Sequence, residues 1–444
     1  MAGAIDITAT SIDPALLDLP WELPLLEWPQ ELLAALPRGI SRHVVRFVNL
    51  SGRIIAVKEI NEDVAYREYS RLRDLQRLGQ PAVAPTAVVT KRQTTRGKPL
   101  TSALVTEHLQ YSLPYRALFT RAIKPDTTFR LIDSLAVLLV RLHLQGIYWG
   151  DVSLSNTLFR RDAGAFSAYL VDAETVALYP QLTVGQRSYD VDLARTNIIG
   201  EFMDLQAGDY FDRSLDVIEF GDRLTERYEK LWAELTEEET FEAGERWRVE
   251  ARIARLNELG FDVDELAMTR SPDGQSLKIQ PKVVDAGHYH RQVLRLTGLD
   301  VGEKQGQRII NDLKTYRTLS GKEDEPIELV AHKWVDEVFK PTMDMIPPEY
   351  RAKLEPAEMF HQILEHRWFE SEKQGRDVPM PEVVASYVTT VLTNLPDEQS
   401  IIGFDAAEIP DAADVDRSSW EVHASAGDPD DYVPEFVPTY RLFE

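Results

Sequence analysis

The reading turns on Tyr148-Trp149-Gly150-Asp151-Val152-Ser153-Leu154-Ser155-Asn156. This stretch directly follows TFRLIDSLAVLLVRLHLQ (128–145), whose Ile132, Leu135, Leu139 and Leu142 recur on one stripe and predict an apolar helix. Two strand-like runs come next, NTLFRR and AYLVDAE, and the second leads into Val171-Asp172-Ala173-Glu174. Upstream, HVVRFVNL and RIIAVKEI flank Ser51-Gly52, which predicts a hairpin whose second strand ends in Ala56-Val57-Lys58-Glu59. EDVAYREYSRLRDLQRL (62–78) reads as an amphipathic helix stopped by Gly79 and Pro81, and TAVVT and SALVTEHL read as two further strands. Each polar residue has an ordinary explanation alone. A strand-end Lys usually faces solvent, Gly-Asp usually makes a turn, and a strand-end Asp is often a cap. Their joint order and spacing is much harder to reach by chance.

A strand Lys, an Asp followed five residues on by Asn, and a strand-end Asp together resemble the protein-kinase-like superfamily. The resemblance implies an α+β bilobal fold, with a small antiparallel-sheet N-lobe over residues 30–110 and a helical C-lobe over 111–235. It also implies ATP and Mg²⁺ (or Mn²⁺) and phosphoryl transfer to a hydroxyl. Such transfer needs charge neutralised on the phosphates, a metal clamp, and a carboxylate to accept the hydroxyl proton. On this reading Asp151 is the base, Asn156 and Asp172 bind the metal, and Lys58 reaches the phosphates. Lys58 needs a carboxylate beside it. Ala65, Glu68, Leu72, Leu75 and Gly79 share one helix face, so Glu68 stands in an apolar stripe where an acid is costly unless paired. Glu68 is the first choice of partner and Glu62 the second; the alternative is a Glu68 that reaches solvent at the stripe edge. Gly39 and Glu107 complete the expected cofactor-binding set.

The departures point to a branch. Trp149-Gly150-Asp151 stands where eukaryotic-type kinases carry His-Arg-Asp, and Ser153 replaces the usual Lys. These features resemble the lipopolysaccharide-kinase (Kdo kinase) and RIO-like members. Asp172-Ala173-Glu174 replaces Asp-Phe-Gly, which removes a switch by Phe flipping. Of the Gly-rich loop only Gly39 remains, in LPRGISRHV, where Arg38 and Arg42 either supply charge or are ordinary surface residues. The segment from Asp172 to Asp190-Val191-Asp192-Leu193 has no room for a long activation loop. One of Asp190 and Asp192 resembles the acid that buttresses the catalytic loop in small kinases; plain N-capping of the helix DLARTNIIGEFMDL is the alternative.

The chain has 444 residues, enough for two or three domains. The expected organisation is a kinase-like domain over 1–235, a mostly helical domain over 236–400 and an acidic tail over 401–444. Residues 15–36, rich in Leu, Pro and Trp, predict one or two short helices with proline breaks. With 49 Lys+Arg against 73 Asp+Glu the net charge is −24, which argues against a general nucleic-acid binder. The absence of Cys excludes disulfides, Cys-zinc sites and thiol chemistry and accords with a cytoplasmic protein. MAGAIDITAT lacks the pattern of a secretion signal. The longest apolar run, Leu135 to Val140, falls far short of the roughly 20 residues of a membrane span.

In the second half, SPDGQSLKIQPKVVDAG (271–287) reads as a boundary. TGLDVGEKQGQRIINDL (297–313) and EHRWFESEKQGRDV (365–378) resemble an uncharacterised domain appended to lipopolysaccharide-kinase-like proteins of actinobacteria. Residues 282–322 are locally basic (Lys282, Arg291, Arg295, Lys304, Arg308, Lys314, Arg317, Lys322), which is either an RNA- or anion-facing patch or a set of solvated helix faces. His288-Tyr289-His290 has no third metal ligand at a usable spacing. His366, Arg367, Trp368 and Arg376 form either a recognition surface or buried packing ended by a Gly375 helix stop. The tail carries eleven acids and two bases, with Trp420, Tyr432, Phe436, Tyr440 and Phe443 among them. It reads as a solvating appendage or as a segment that folds back on 282–322 or on the cleft.

The leading expectation is an ATP/Mg²⁺-dependent phosphotransferase acting on a protein or a small sugar-like acceptor. Two alternatives stand beside it: a nucleotide-binding pseudokinase scaffold whose helical half is the interaction module, and AMP transfer by inverted nucleotide binding. The retained Lys58, Asp151, Asn156 and Asp172 oppose the scaffold, and Asp151 opposes AMP transfer.

Overall fold

The computed structural model describes residues 5–9, 13–35, 43–119, 125–242, 246–259, 261–270, 276–395 and 401–402. Contacts divide the chain into two compact units. Among the described residues the first holds 5–160, 166–233 and 401–402, and the second holds 161–165 and 234–395.

The first unit opens with a five-stranded antiparallel sheet made by β1 (Asp6–Ala9), β2 (Val45–Leu50), β3 (Arg53–Glu59), β4 (Pro85–Thr90) and β5 (Ala103–Glu107), in the order β1-β4-β5-β3-β2. Ser51 (φ 52°) and Gly52 (φ 81°) join β2 to β3, the positive-φ pair that a two-residue hairpin requires. Alternation then sorts the side chains. Ile55, Val57, Ala87, Val89, Ala103 and Val105 form a core with Leu16, Leu19, Trp21, Leu25 and Trp28 from the preceding segment. That segment makes three 3-10 turns, Pro14–Asp18, Leu25–Glu27 and Gln30–Leu32, where the sequence suggested short helices. Pro14, Pro20, Pro24 and Pro29 remove the N–H groups a longer helix needs. Lys58 lies one residue out of phase with Val57 and so projects from the other face, toward helix α1 (Glu62–Arg77).

The chain continues through β6 (Ser112–Pro114), α2 (Pro125–Leu144), β7 (Thr157–Asp162), β8 (Ala165–Leu170), α3 (Val184–Ala207) and α4 (Val217–Thr236). α2 is buried around most of its circumference, through Leu131, Ile132, Leu135, Leu138, Leu139, Val140 and Leu142. Phe202 on α3 meets Phe119, Phe211 and Phe220 with ring centroids 5.2, 5.1 and 4.8 Å away, an apolar block beneath the loop that follows α2. Strands β6, β7 and β8 pair as a small sheet, and Ile147–Tyr148 pairs with Ala177–Leu178.

The second unit has a three-stranded antiparallel sheet, β9 (Glu239–Glu242), α5 (Arg246–Glu258) after it, then β10 (Phe261–Arg270) and β11 (Ser276–Ala286), with β11 in the centre. The 271–287 stretch, read as a boundary, is thus mostly strand. Pro281 is tolerated because it pairs with Leu266 beside a register shift and beyond the end of β9. Helices α6 (His288–Thr297), α7 (Glu303–Leu319), α8 (Ile327–Trp334), α9 (Pro356–Gln374) and α10 (Met380–Thr390) follow. Their apolar faces form two cores, one around Leu313, Trp334 and Phe360, the other around Ile363, Val383 and Tyr387. In this unit the Asp162 carboxylate accepts the N–H groups of Lys304 (3.2 Å) and Gln305 (2.8 Å) at the N-terminus of α7, an anion where the helix dipole favours one. Gly375 ends α9 in the left-handed conformation (φ 61°). Apart from Ile401 and Ile402, which pair with Ala35 and Ala34, the acidic tail and its aromatic residues lie outside the described residues.

Candidate active site

The loop after α2 is built on Gly150 and Asp190. Gly150 has φ 79°, and a Cβ there would stand 3.0 Å from Tyr148 Cε1 and 3.3 Å from Thr175 Cβ, so both conformation and space call for glycine. Asp190 is fully buried and accepts the N–H groups of Trp149 and Gly150, each at 2.8 Å. His143 Nε2 lies 3.2 Å from the same carboxylate, and its Nδ1 lies 2.7 Å from the Tyr228 hydroxyl. Burial pushes the His143 pKa down, against the opposing pull of Asp190. Of the two acids considered from sequence, Asp190 is the one beneath the loop and Asp192 is exposed. Neither caps the helix: α3 begins earlier, at Val184, with a Thr183/Gln186 capping box.

Asp151 and Asn156 face each other across this loop. Asn156 Nδ2 donates to the Asp151 Oδ2 (2.9 Å) and backbone carbonyl (3.0 Å). The Asn156 carbonyl accepts the Val171 N–H at 3.1 Å, which brings the start of β7 and the end of β8 together and sets Asp172 beside Asn156. Asp172 Oδ2 accepts from Lys58 Nζ at 2.9 Å, and Lys58 Nζ also donates to Glu68 at 3.0 Å. Burial works against the Lys58 charge, yet the two carboxylates outweigh it and hold the ammonium above its ordinary pKa. Burial raises Glu68 to about 7 against the pull of Lys58. The structure therefore joins Lys58, Glu68 and Asp172, and separately Asp151 and Asn156, at one end of the β7–β8 hairpin. Glu62 is exposed at the start of α1.

Glu107 does not join them. It pairs in register with Ile55, which puts it on the opposite sheet face from Lys58, and its half-exposed carboxylate binds Arg53 at 3.0 Å. Gly39, Arg38 and Arg42 lie outside the described residues. Two contacts to the loop have no counterpart in the sequence reading. Asn197 Nδ2 donates to the Val152 carbonyl at 2.9 Å, and Glu201 accepts the Leu154 and Ser155 N–H groups, each at 2.8 Å. The one available signal was their spacing from Asp190 on a single helix face.

The donor set suits a hard cation. Asp172 offers a carboxylate and Asn156, whose amide nitrogen is committed to Asp151, offers its oxygen; oxygen ligands of this kind are those Mg²⁺ takes alongside phosphates and water. Among the described residues no group of three or more His, Cys, Asp or Glu stands ready to hold a metal alone.

Residues 53–198, from β3 into α3, match the Lipopolysaccharide kinase (Kdo/WaaP) family. The matched span contains Lys58, Glu68, Asp151, Asn156, Asp172 and Asp190, and the first unit pairs a small antiparallel sheet with a helical part. Residues 230–392 match a domain of unknown function, DUF4032. A solved structure titled "WaaP in complex with acyl carrier protein" is 15% identical, covering 51% of this chain and 89% of that one, at a TM-score of 0.31. No curated protein matches. Among the described residues no helix is long and apolar enough to cross a membrane.

The basic segment of the second unit spends several of its cations internally. Arg308 meets His361 Nδ1 at 3.3 Å and lies in the field of Glu365, Glu358 and Asp162. Arg317 donates to the carbonyls of Lys322 and Glu325, and Lys322 bonds the Tyr316 hydroxyl and Glu337. His290 Nδ1 bonds the Val301 carbonyl at 2.8 Å.

Proposed function

We propose that the first unit transfers the γ-phosphoryl group of ATP to an alcohol, with Mg²⁺ or Mn²⁺, in the manner of the RIO-like and lipopolysaccharide-kinase branch, and that it works in the cytoplasm on a protein or small sugar-like acceptor. The observation that carries this is the pairing of Lys58 with Glu68 and Asp172 in the same unit as the Asp151–Asn156 bond. In the step, the acceptor oxygen forms a bond to the γ-phosphorus and the bond to the β–γ bridging oxygen breaks. ADP leaves with the electron pair, and the hydroxyl proton passes to the Asp151 carboxylate. Asn156 holds that carboxylate in place. Asp172 and Asn156 would hold the metal, which supplies charge neutralisation on the phosphates when bound. Lys58, fixed by Glu68, would bind the α/β-phosphates. Gly150 before Asp151 and Ser153 after it support the branch.

The test is incubation of the full chain with γ- or α-labelled ATP, beside Asp151→Ala and Asp172→Ala. Transfer from γ-labelled ATP that falls about 10²–10⁴-fold in Asp151→Ala is expected for loss of a general base. Label transfer that survives this substitution overturns the mechanism. Transfer from α-labelled ATP alone indicates AMP transfer, and nucleotide-dependent stabilisation without turnover indicates a scaffold.

A further inference from the structure

One helix holds the whole loop that carries Asp151 and Asn156. On α3, Asn197 follows Asp190 by seven residues and Glu201 follows Asn197 by four. At 3.6 residues per turn the three fall within about 40° of each other on one face, spread along about 16 Å of axis. They meet the loop in the order in which it runs. Asp190 takes Trp149 and Gly150, Asn197 takes Val152, and Glu201 takes Leu154 and Ser155. Glu201 also accepts the Ser155 hydroxyl. Every one of these anchors is backbone or Ser155, so the side chains of Asp151 and Asn156 are left to each other and to the reaction.

We propose that Glu201, seconded by Asn197, is a positioning residue for the transfer site, which fixes Leu154 and Ser155 so that Asn156, the next residue, presents its amide oxygen on the side of Asp172. The inference rests on the phosphotransferase reading. Both oxygens of one carboxylate are engaged, and charge-assisted bonds to N–H groups are about twice as strong as neutral ones. The acid is buried enough that desolvation raises its pKa, with Ser155 and the loop N–H groups pulling it back. A buried acid costs stability unless it is hydrogen-bonded, and Glu201 finds its bonds in this loop. The same short loop ties Asn156 N to Ser153 Oγ and Asn156 Nδ2 to Asp151, so a shift at Ser155 moves both working residues together. Glu201 lies three residues past the end of the family match, so the family pattern does not assign it.

The experiment compares the full chain with Glu201→Gln and Ser155→Ala by three readouts: the ligand-free melting temperature, the Mg²⁺ concentration giving half of the ATP-dependent thermal stabilisation, and kcat with KM for ATP. Gln keeps the size but turns an amide NH₂ against N–H groups that need an acceptor. Glu201→Gln should raise the half-saturating Mg²⁺ about tenfold and lower kcat about 10–100-fold, the range for groups that orient a metal ligand. KM for ATP at saturating Mg²⁺ should stay within about twofold, because Lys58 and Glu68 are untouched. Ser155→Ala, which leaves the Glu201 charge and two of its bonds, should shift Mg²⁺ dependence and kcat the same way by about two- to tenfold. A folded Glu201→Gln with unchanged Mg²⁺ dependence and kcat overturns the inference. If Glu201→Gln fails to fold, a Ser155→Ala that matches wild type overturns it. Wild-type protein that neither gains stability from Mg²⁺ and ATP nor transfers phosphate overturns the phosphotransferase reading and this inference with it; transfer by the wild type beside an unaffected variant overturns this inference alone.

Discussion

Arg92→Met probes what fastens the N-terminal segment to the sheet behind Lys58. The Arg92 side chain has no exposed surface. It donates to the carbonyls of Trp21 (3.2 Å), Leu23 (2.6 Å) and Thr101 (2.8 Å), binds Glu59 Oε1 at 2.9 Å, and lies 5.6 Å from the Trp21 ring centroid. Met fills much of the volume and removes every donor. Glu59 then keeps the Leu25 N–H, at 3.1 Å, and loses its countercharge. Breaking one side of a buried ion pair costs about 3–5 kcal/mol. The three orphaned carbonyls overlap with that figure rather than adding to it, since all depend on one side chain. At about 2–4 °C per kcal/mol for a domain of this size, the melting temperature of the first unit should fall by about 6–20 °C. Calorimetry of the full chain reads the loss. Tryptophan fluorescence assigns it, because Trp21 and Trp28 are 2% and 4% exposed and become wet as this segment leaves the sheet. Arg92→Met/Glu59→Leu should recover part of the loss, because no charge is left unpaired. A single variant within about 2 °C of wild type, or a double variant less stable than the single, refutes the argument that the ion pair is the fastening.

Three further outcomes are expected. Gly150→Ala forces a side chain to φ 79° and against Tyr148 and Thr175, a strain of about 1–3 kcal/mol, so phosphate transfer and melting temperature should both fall; transfer at the wild-type rate would show that the turn is not required. With one carboxylate and one amide as protein donors, Mn²⁺ should bind by electron paramagnetic resonance only when ATP is present, and tight binding to the nucleotide-free chain would refute the assignment of Asp172 and Asn156. Burial raises Asp312 from 3.8 to about 7 despite the Trp334 Nε1 bond, so between those values the folded state keeps a proton that the unfolded chain has released. The second unit should therefore gain stability relative to Asp312→Asn as pH falls from 8 toward 5, by up to about 1.4 kcal/mol per pH unit; parallel melting curves for the two proteins would count against it.

How far the sequence could be read depended on whether a residue acts through its side chain's neighbours on its own element. Glu68 was legible because helical periodicity alone puts it among Ala65, Leu72 and Leu75, and the structure places Lys58 against it. Lys58, Asp151, Asn156 and Asp172 were legible as a spacing. Asp190 was half legible: the acid was visible, but its contacts are to main-chain N–H groups forty residues away, which nothing local encodes. Glu201 and Asn197 were not legible, for the same reason. Proline and glycine were a mixed guide. They marked the segment around Pro14–Asp18 as short, proline-broken helices, and short 3-10 helices form there, but they marked 271–287 as a boundary where Pro281 sits inside a strand. The basic run over 282–322 left two readings open because a count of charges carries no record of partners; Arg308, Arg317 and Lys322 have theirs within the unit.

The charge at the site gives a physical reason for a cation in the proposed reaction. Around the proposed nucleotide, Lys58 is one ammonium between two carboxylates, Glu68 and Asp172, with Asp151 on the adjoining loop. Such a cluster is net negative when ionised, and ATP is a polyanion. Bringing the two together costs energy that rises as the local dielectric falls. Two devices can offset it. One is a divalent cation between Asp172 and the phosphates; the other is a proton on Glu68, whose carboxyl burial has already raised to about 7. The first leaves Lys58 free to turn from Asp172 toward phosphate while Glu68 keeps hold of it, whereas the second loosens the Lys58–Glu68 bond. Under the proposed function, this charge balance predicts that ATP binds together with its metal rather than as the bare nucleotide.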